Sequence, residues 1–110
     1  DEGGLTGMIT PLTKFPDGDW RNRYFHGKRK GQIAERVVKL QGLLGEEAST
    51  LPELSLRFCL NHPSVSTVIP GMRKPMHVQA NTRVSDGKNL SDETMNELKK
   101  HSWKRNFYMA

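Results

Sequence analysis

Arg73 is the side chain best placed for recognition chemistry. It closes the stretch Thr67-Val68-Ile69-Pro70-Gly71-Met72-Arg73, and Pro75 follows shortly after. Pro-Gly is a turn signal, and proline suits the first turn of a helix. Backbone N–H groups left unpaired at a helix N-terminus, with the positive end of its dipole, attract an anion. A guanidinium beside them can bind a phosphate through two hydrogen bonds. The implied ligand is phosphorylated, although the same pattern also fits an ordinary turn with a solvated arginine.

Gly3-Gly4-Leu5-Thr6-Gly7 is the second stretch of interest, because glycine lets backbone approach a ligand closely. It lacks the Gly-Lys-Ser/Thr ending of a P-loop, so by pattern it is a turn as readily as a phosphate cradle. Asp19-Trp20-Arg21-Asn22-Arg23-Tyr24-Phe25 mixes basic and aromatic side chains in a long loop. Such a loop is either a lid or a segment pinned to the body by Trp20 and Phe25. No metal-ligand cluster is present, so the expected metal set is empty.

These residues need elements to hold them. Ile33, Val37, Leu40 and Leu44 recur at helical spacing from about Gly31, and Gly45 marks an end. Thr50-Leu51-Pro52-Glu53 reads as a capping box opening a second helix, which His62-Pro63 stops. Val65, Thr67 and Ile69 alternate with Ser66 and Val68, which predicts a strand at 65–70. A helix from Pro75 to about Val84 follows. Another begins at Ser91 as N-cap, with Leu90 and Met95 spaced as a hydrophobic staple. The division is a loop over 1–30, helices over 31–62, a strand at 65–70, terminal helices over 75–102 and a tail over 103–110. One strand among several helices is not a complete sheet, so its neighbours are expected upstream and the chain to be part of a longer one. Loop, helix, strand, glycine turn, helix is the order of a β/α repeat. The expected fold class is α/β, the closing part of a (β/α)8 barrel with its last one or two strands.

Composition narrows the function classes. With 35% hydrophobic and 26% charged residues in 110, the chain reads as folded, with a thin core. Its net charge of +5 falls within residues 14–39, where basic side chains outnumber acidic ones. No zinc spacing, aromatic RNA-binding signature or basic helix with heptads accompanies that charge, so no nucleic-acid partner is expected. Cys59 stands alone in an apolar helical pattern, which suggests a buried, inert thiol in a reducing compartment. No run approaches the roughly 20 apolar residues of a membrane span. The expectation is a soluble, cytoplasmic protein without a membrane partner.

The stretches Gly3-Gly4-Leu5-Thr6-Gly7, Phe15-Pro16-Asp17-Gly18-Asp19-Trp20-Arg21 and Thr67 to Arg73, with Val78 and Asn81, resemble the C-terminal portion of the aldo/keto reductases over nearly the whole chain. The resemblance implies an NADPH-dependent oxidoreductase that reduces aldehydes or ketones to alcohols. It places Arg73 on the 2′-phosphate, Gly71 and Met72 beside it through their backbone, and Asn81 on the adenine. His77 stands where relatives usually have glutamine or arginine. Ala80 replaces a glutamate that many relatives use on the adenine amino group. Gly3, Gly4, Leu5, Thr6 and Gly7 would lie along the pyrophosphate, and Arg21 or Arg23 would close over the cofactor. The family's acid-base tyrosine, with its lysine, aspartate and histidine partners, comes from the first half of the barrel; Tyr24, Tyr108, His26, His62, His77 and His101 do not occupy the corresponding motifs, so the resemblance implies an empty catalytic set here. This chain would thus supply cofactor binding and not proton transfer. The competing reading is a non-catalytic nucleotide-binding or interaction module derived from a reductase. As an isolated fragment the chain is expected to self-associate through exposed strand edges.

Overall fold

The computed structural model describes residues 1–109; Ala110, the end of the expected tail, lies outside them. Five α-helices lie among the described residues: α1 (Arg21–Tyr24), α2 (Arg29–Gln41), α3 (Leu51–Leu60), α4 (Pro75–Thr82) and α5 (Asp92–Lys100). A short 3-10 turn, Gly4–Thr6, precedes them. The segment expected to be loop thus already holds α1 and the start of α2.

No strand exists among the described residues, which overturns the α/β expectation and its barrel strands. The alternating run from Val65 to Ile69 has the right side chains but no partner. Strands are stabilised by inter-strand hydrogen bonds, and no backbone N–H from Ser66 to Arg73 meets an acceptor among the described residues. Ile69 is consequently 95% exposed. The start of the chain, where a second strand would have come, is the 3-10 turn instead.

Helix α3 joins the two apolar clusters. Leu51 belongs to the larger, with Ile9, Tyr24, Phe25, Ile33, Val37 and Phe107. Leu54, three residues on, belongs to the smaller, with Ala48 and Leu90. Thr50 Oγ1 accepts from the Glu53 N–H at 3.3 Å, but Glu53 reaches back to the N–H and hydroxyl of Ser49 and not to Thr50. At α5 the Ser91 hydroxyl caps the Thr94 N–H at 3.1 Å, and Leu90 and Met95 share the smaller cluster. Cys59 is exposed, contrary to expectation, and Phe58 beside it is 42% exposed. Among the described residues nothing covers that side of α3 once Leu51 and Leu54 have taken the other.

Arg57, one turn beyond Leu54, is the one charged side chain in the buried class among the described residues. It donates from Nε to Glu53 Oε1 at 3.1 Å, from Nη1 and Nη2 to the two Asp86 carboxylate oxygens at 2.9 and 2.8 Å, and from Nη1 to the Lys88 carbonyl at 3.0 Å. The hydrogen bonds from Arg57 hold the Asp86 carboxyl well below the usual range, and those to Asp86 and Glu53 raise Arg57 further.

Ahead of α1, Arg21 closes a smaller fork. Nε and Nη2 donate to Asp19 at 3.0 and 2.7 Å, and the guanidinium lies 4.5 Å from the centre of the Phe15 ring. The hydrogen bonds from Arg21 pull the Asp19 carboxyl down to about 2.

Two outcomes follow. Leu54→Ala removes a buried side chain and should lower the free energy of unfolding by about 2 to 3 kcal/mol, whereas Val38→Ala on the exposed face of α2 should change it by less than about 0.5 kcal/mol; urea denaturation measures both. Asp19 titrates lower folded than unfolded, so its contribution is complete above its ordinary value of 3.8 and is lost as pH falls toward about 2. An NMR titration of the Asp19 carboxyl should find its midpoint near 2, and Arg21→Ala should return it toward 3.8.

Candidate functional site

The glycine turn is built by positions only glycine fills well. Gly3 and Gly7 have φ of 87° and 81°, in the left-handed region. At Gly7 the restriction is double, since a Cβ would come 2.9 Å from Leu51 Cδ1. The turn therefore sits directly on the first residue of α3. Inside it, the Gly4 N–H donates to the Asp1 carbonyl at 2.7 Å and the Thr6 hydroxyl to the Gly3 carbonyl at 2.7 Å. Gly4 is buried, while Gly3, Leu5 and Thr6 are exposed and Gly7 is intermediate.

Gly71, Met72 and Arg73 lie on the surface together with the whole of α4 apart from Asn81, which is half-buried. A Cβ on Gly71 would meet nothing within 4 Å, so its backbone faces open space. Asn81 Nδ2 donates to the Gly71 carbonyl at 3.1 Å and ties this segment to α4. Lys74 is the N-cap in an extended conformation, Pro75 opens the first turn, and no side chain caps it. The α4 N-terminus is therefore open, with Arg73 and Lys74 adjacent. His77 is exposed on α4, and Arg73 makes no ion pair among the described residues.

Both segments pack against α3, the turn also against α2. No hydrogen bond joins Gly3–Gly7 to the 71–81 segment among the described residues. Arg21 is engaged by Asp19 and Phe15, and Arg23 is exposed. Tyr24 is fully buried, and its hydroxyl donates to Asp1 Oδ1 at 2.6 Å.

Two grooves accompany these segments. One, of about 700 Å³, lies among Glu53, Arg57, Arg83, Asp86 and Lys88, whose central charges pair with each other. The other, of about 420 Å³, brings Leu5 of the turn beside Asp1, Arg36, Trp103 and Arg105. Sequence reading missed Asp1, Arg57 and Arg105 as organising residues. Arg57 had a signal, a charge placed one turn after Leu54 in an otherwise apolar stripe. Asp1 and Arg105 had none, because their pairing spans nearly the full chain.

The family model described as "Aldo/keto reductase family" matches residues 2–102. Neither a curated protein sequence nor a solved structure matches the chain. No helix among the described residues is long and apolar enough to cross a membrane. The matched range takes in the glycine turn, α3 and the Arg73 segment, and on that match the chain belongs to the aldo/keto reductase family.

Proposed function

We propose that this chain is the C-terminal, cofactor-holding segment of an NADPH-dependent aldo/keto reductase acting on an aldehyde or ketone. The observation that carries the reading is the Asn81–Gly71 hydrogen bond. It fastens Gly71 to Arg73 against an uncapped helix N-terminus whose basic neighbours are free to meet a phosphate.

The residues present fit the adenosine end of such a cofactor. Arg73 would take the 2′-phosphate as a two-pronged donor, while Gly71 and Met72 would offer backbone, with no side chain in the way at Gly71. Asn81 is fixed by Gly71 through its amide nitrogen, which leaves its amide oxygen to accept from the adenine. His77 lies on the same exposed helix, and Ala80 offers no acceptor. The turn Gly3, Gly4, Leu5, Thr6 and Gly7 would lie along the pyrophosphate, with Gly3, Leu5 and Thr6 exposed to it.

When bound, the nicotinamide supplies a hydride to the carbonyl carbon of the substrate. The chain's own residues bind and orient. Tyr24 is unsuited to proton transfer, since it is buried with its hydroxyl bonded to Asp1. On the family resemblance, the proton donor would belong to a part of the enzyme outside these residues.

Arg73→Ala should weaken NADPH by about 1.5 to 3 kcal/mol, the worth of one charge-assisted contact, and NADH by much less. Titration of the chain, and of any longer form, followed by cofactor fluorescence reads both values. An equal loss for the two cofactors removes Arg73 from the 2′-phosphate. A wild-type chain that binds neither favours the reductase-derived interaction module.

A further inference from the structure

The end of the chain reaches back to the two residues in front of the glycine turn. Arg105 pairs through Nη2 with Asp1 Oδ2, and Arg105 Nη1 lies 3.3 Å from the Tyr24 hydroxyl, which itself donates to Asp1 Oδ1. One carboxylate thus gathers a guanidinium and a phenol from positions 24 and 105. The Asp1 side chain is 16% exposed and that of Arg105 23%, so the pair is largely shielded from water. Arg105 also lies over the Trp103 and Phe107 rings, at 5.1 and 4.7 Å from their centres. A second tie is made by the Tyr108 hydroxyl, 3.1 Å from Glu2 Oε1.

Asp1 is in turn the underside of the turn. Its carbonyl accepts the Gly4 N–H, and a Cβ on Gly4 would stand 3.1 Å from its Oδ2. Glycines at 3, 4 and 7 give this backbone unusual freedom, so its position depends on what anchors its two ends. Leu51 anchors the Gly7 end, and Asp1 anchors the Gly3–Gly4 end. Asp1 in turn depends on the tail.

We propose that Arg105 is a positioning residue for cofactor binding: acting through Asp1 and Tyr24, it fixes where the Gly3–Gly7 backbone is offered, and so sets affinity for the pyrophosphate part of a dinucleotide. The inference rests on the cofactor reading above. It goes beyond it by assigning the C-terminal tail a role in binding exerted through Asp1 and Tyr24. The guanidinium suits the task because its planar fork reaches a carboxylate and a phenol oxygen at once, whereas a lysine keeps the charge but not the fork.

The test uses the full chain as wild type, Arg105→Ala, Arg105→Lys and Asp1→Asn. The ligands are NADPH and adenosine 2′-monophosphate, which carries the adenine and the 2′-phosphate but no pyrophosphate. Amide hydrogen exchange from Gly4 to Met8 is followed without ligand. Arg105→Ala should raise the NADPH dissociation constant roughly tenfold, as expected for one lost charge-assisted contact, and should speed exchange across the turn. Adenosine 2′-monophosphate should bind as before, and Arg105→Lys should recover part of the loss. Unchanged NADPH affinity and exchange in Arg105→Ala would overturn the proposal, as would equal weakening of both ligands. If Arg105→Ala does not fold, Asp1→Asn, which keeps an acceptor for Tyr24 but removes the charge facing Arg105, must show the same split for the proposal to stand. A wild-type chain that binds neither ligand overturns the cofactor reading. The exchange measurement then decides by itself whether Arg105 holds the turn.

Discussion

A guanidinium taken out of water must have its donors satisfied in place, and the Arg57 site meets that demand with two carboxylates and a carbonyl drawn from different parts of the chain. Glu53 comes from the preceding turn of α3, while Asp86 and Lys88 come from the segment that follows α4. The charge thereby pins the end of α4 to the middle of α3. Its neighbours on the same stripe, Leu51 and Leu54, pin the larger and smaller clusters to the same helix. The glycine turn rests on Leu51, and α4 packs on α3 as well. The two segments of the candidate site are thus related to each other through one ten-residue helix.

What was legible in the sequence was what local chemistry decides. Thr50 and Ser91 announce helix starts because a hydroxyl reaches an N–H only two or three residues ahead, and both caps are present. Ile33 and Val37 announce a buried face because helical geometry alone puts them together, and both are in the larger cluster. The run from Val65 to Ile69 failed for the complementary reason. Alternation says that a segment suits a sheet, but a strand is a property of two segments, and none of the described residues pairs with this one. Cys59 was misplaced because apolar neighbours along a helix do not say which side has a partner. The Asp1–Tyr24–Arg105 group was out of reach altogether, being assembled from the start, the first quarter and the end of the chain.

The basic segment has a similar lesson. Charge excess over residues 14–39 suggests a cationic surface, yet several of its side chains are engaged within the molecule. Arg21 is held by Asp19, and Arg29 donates to the Tyr24 and Phe107 carbonyls at 3.0 and 2.8 Å. Arg36 stacks on Trp103 at 3.9 Å, and Lys30 donates to the Thr13 carbonyl at 2.6 Å. Arginine serves here as a connector, since its planar head bonds at the edge and stacks on its face. Aromatic side chains supply the surfaces for it: Phe15, Trp103 and Phe107 each lie beneath at least one guanidinium.

The two segments of the candidate site are held unequally. The glycine turn rests on Asp1 from below and on Leu51 from one side, and Asp1 is paired with Arg105 of the tail, so a ligand there would meet a backbone already ordered. The segment from Gly71 to Arg73 is tied by a single hydrogen bond from Asn81, and no residue of α4 is buried. A ligand there must order Arg73, and the entropy of fixing a long side chain offsets part of the charge attraction. On the proposed cofactor reading, the turn would carry the smaller ordering cost and the Arg73 segment the larger charge. A dinucleotide spanning both would combine them, because binding on the ordered turn keeps the 2′-phosphate close to Arg73 and raises its effective concentration there.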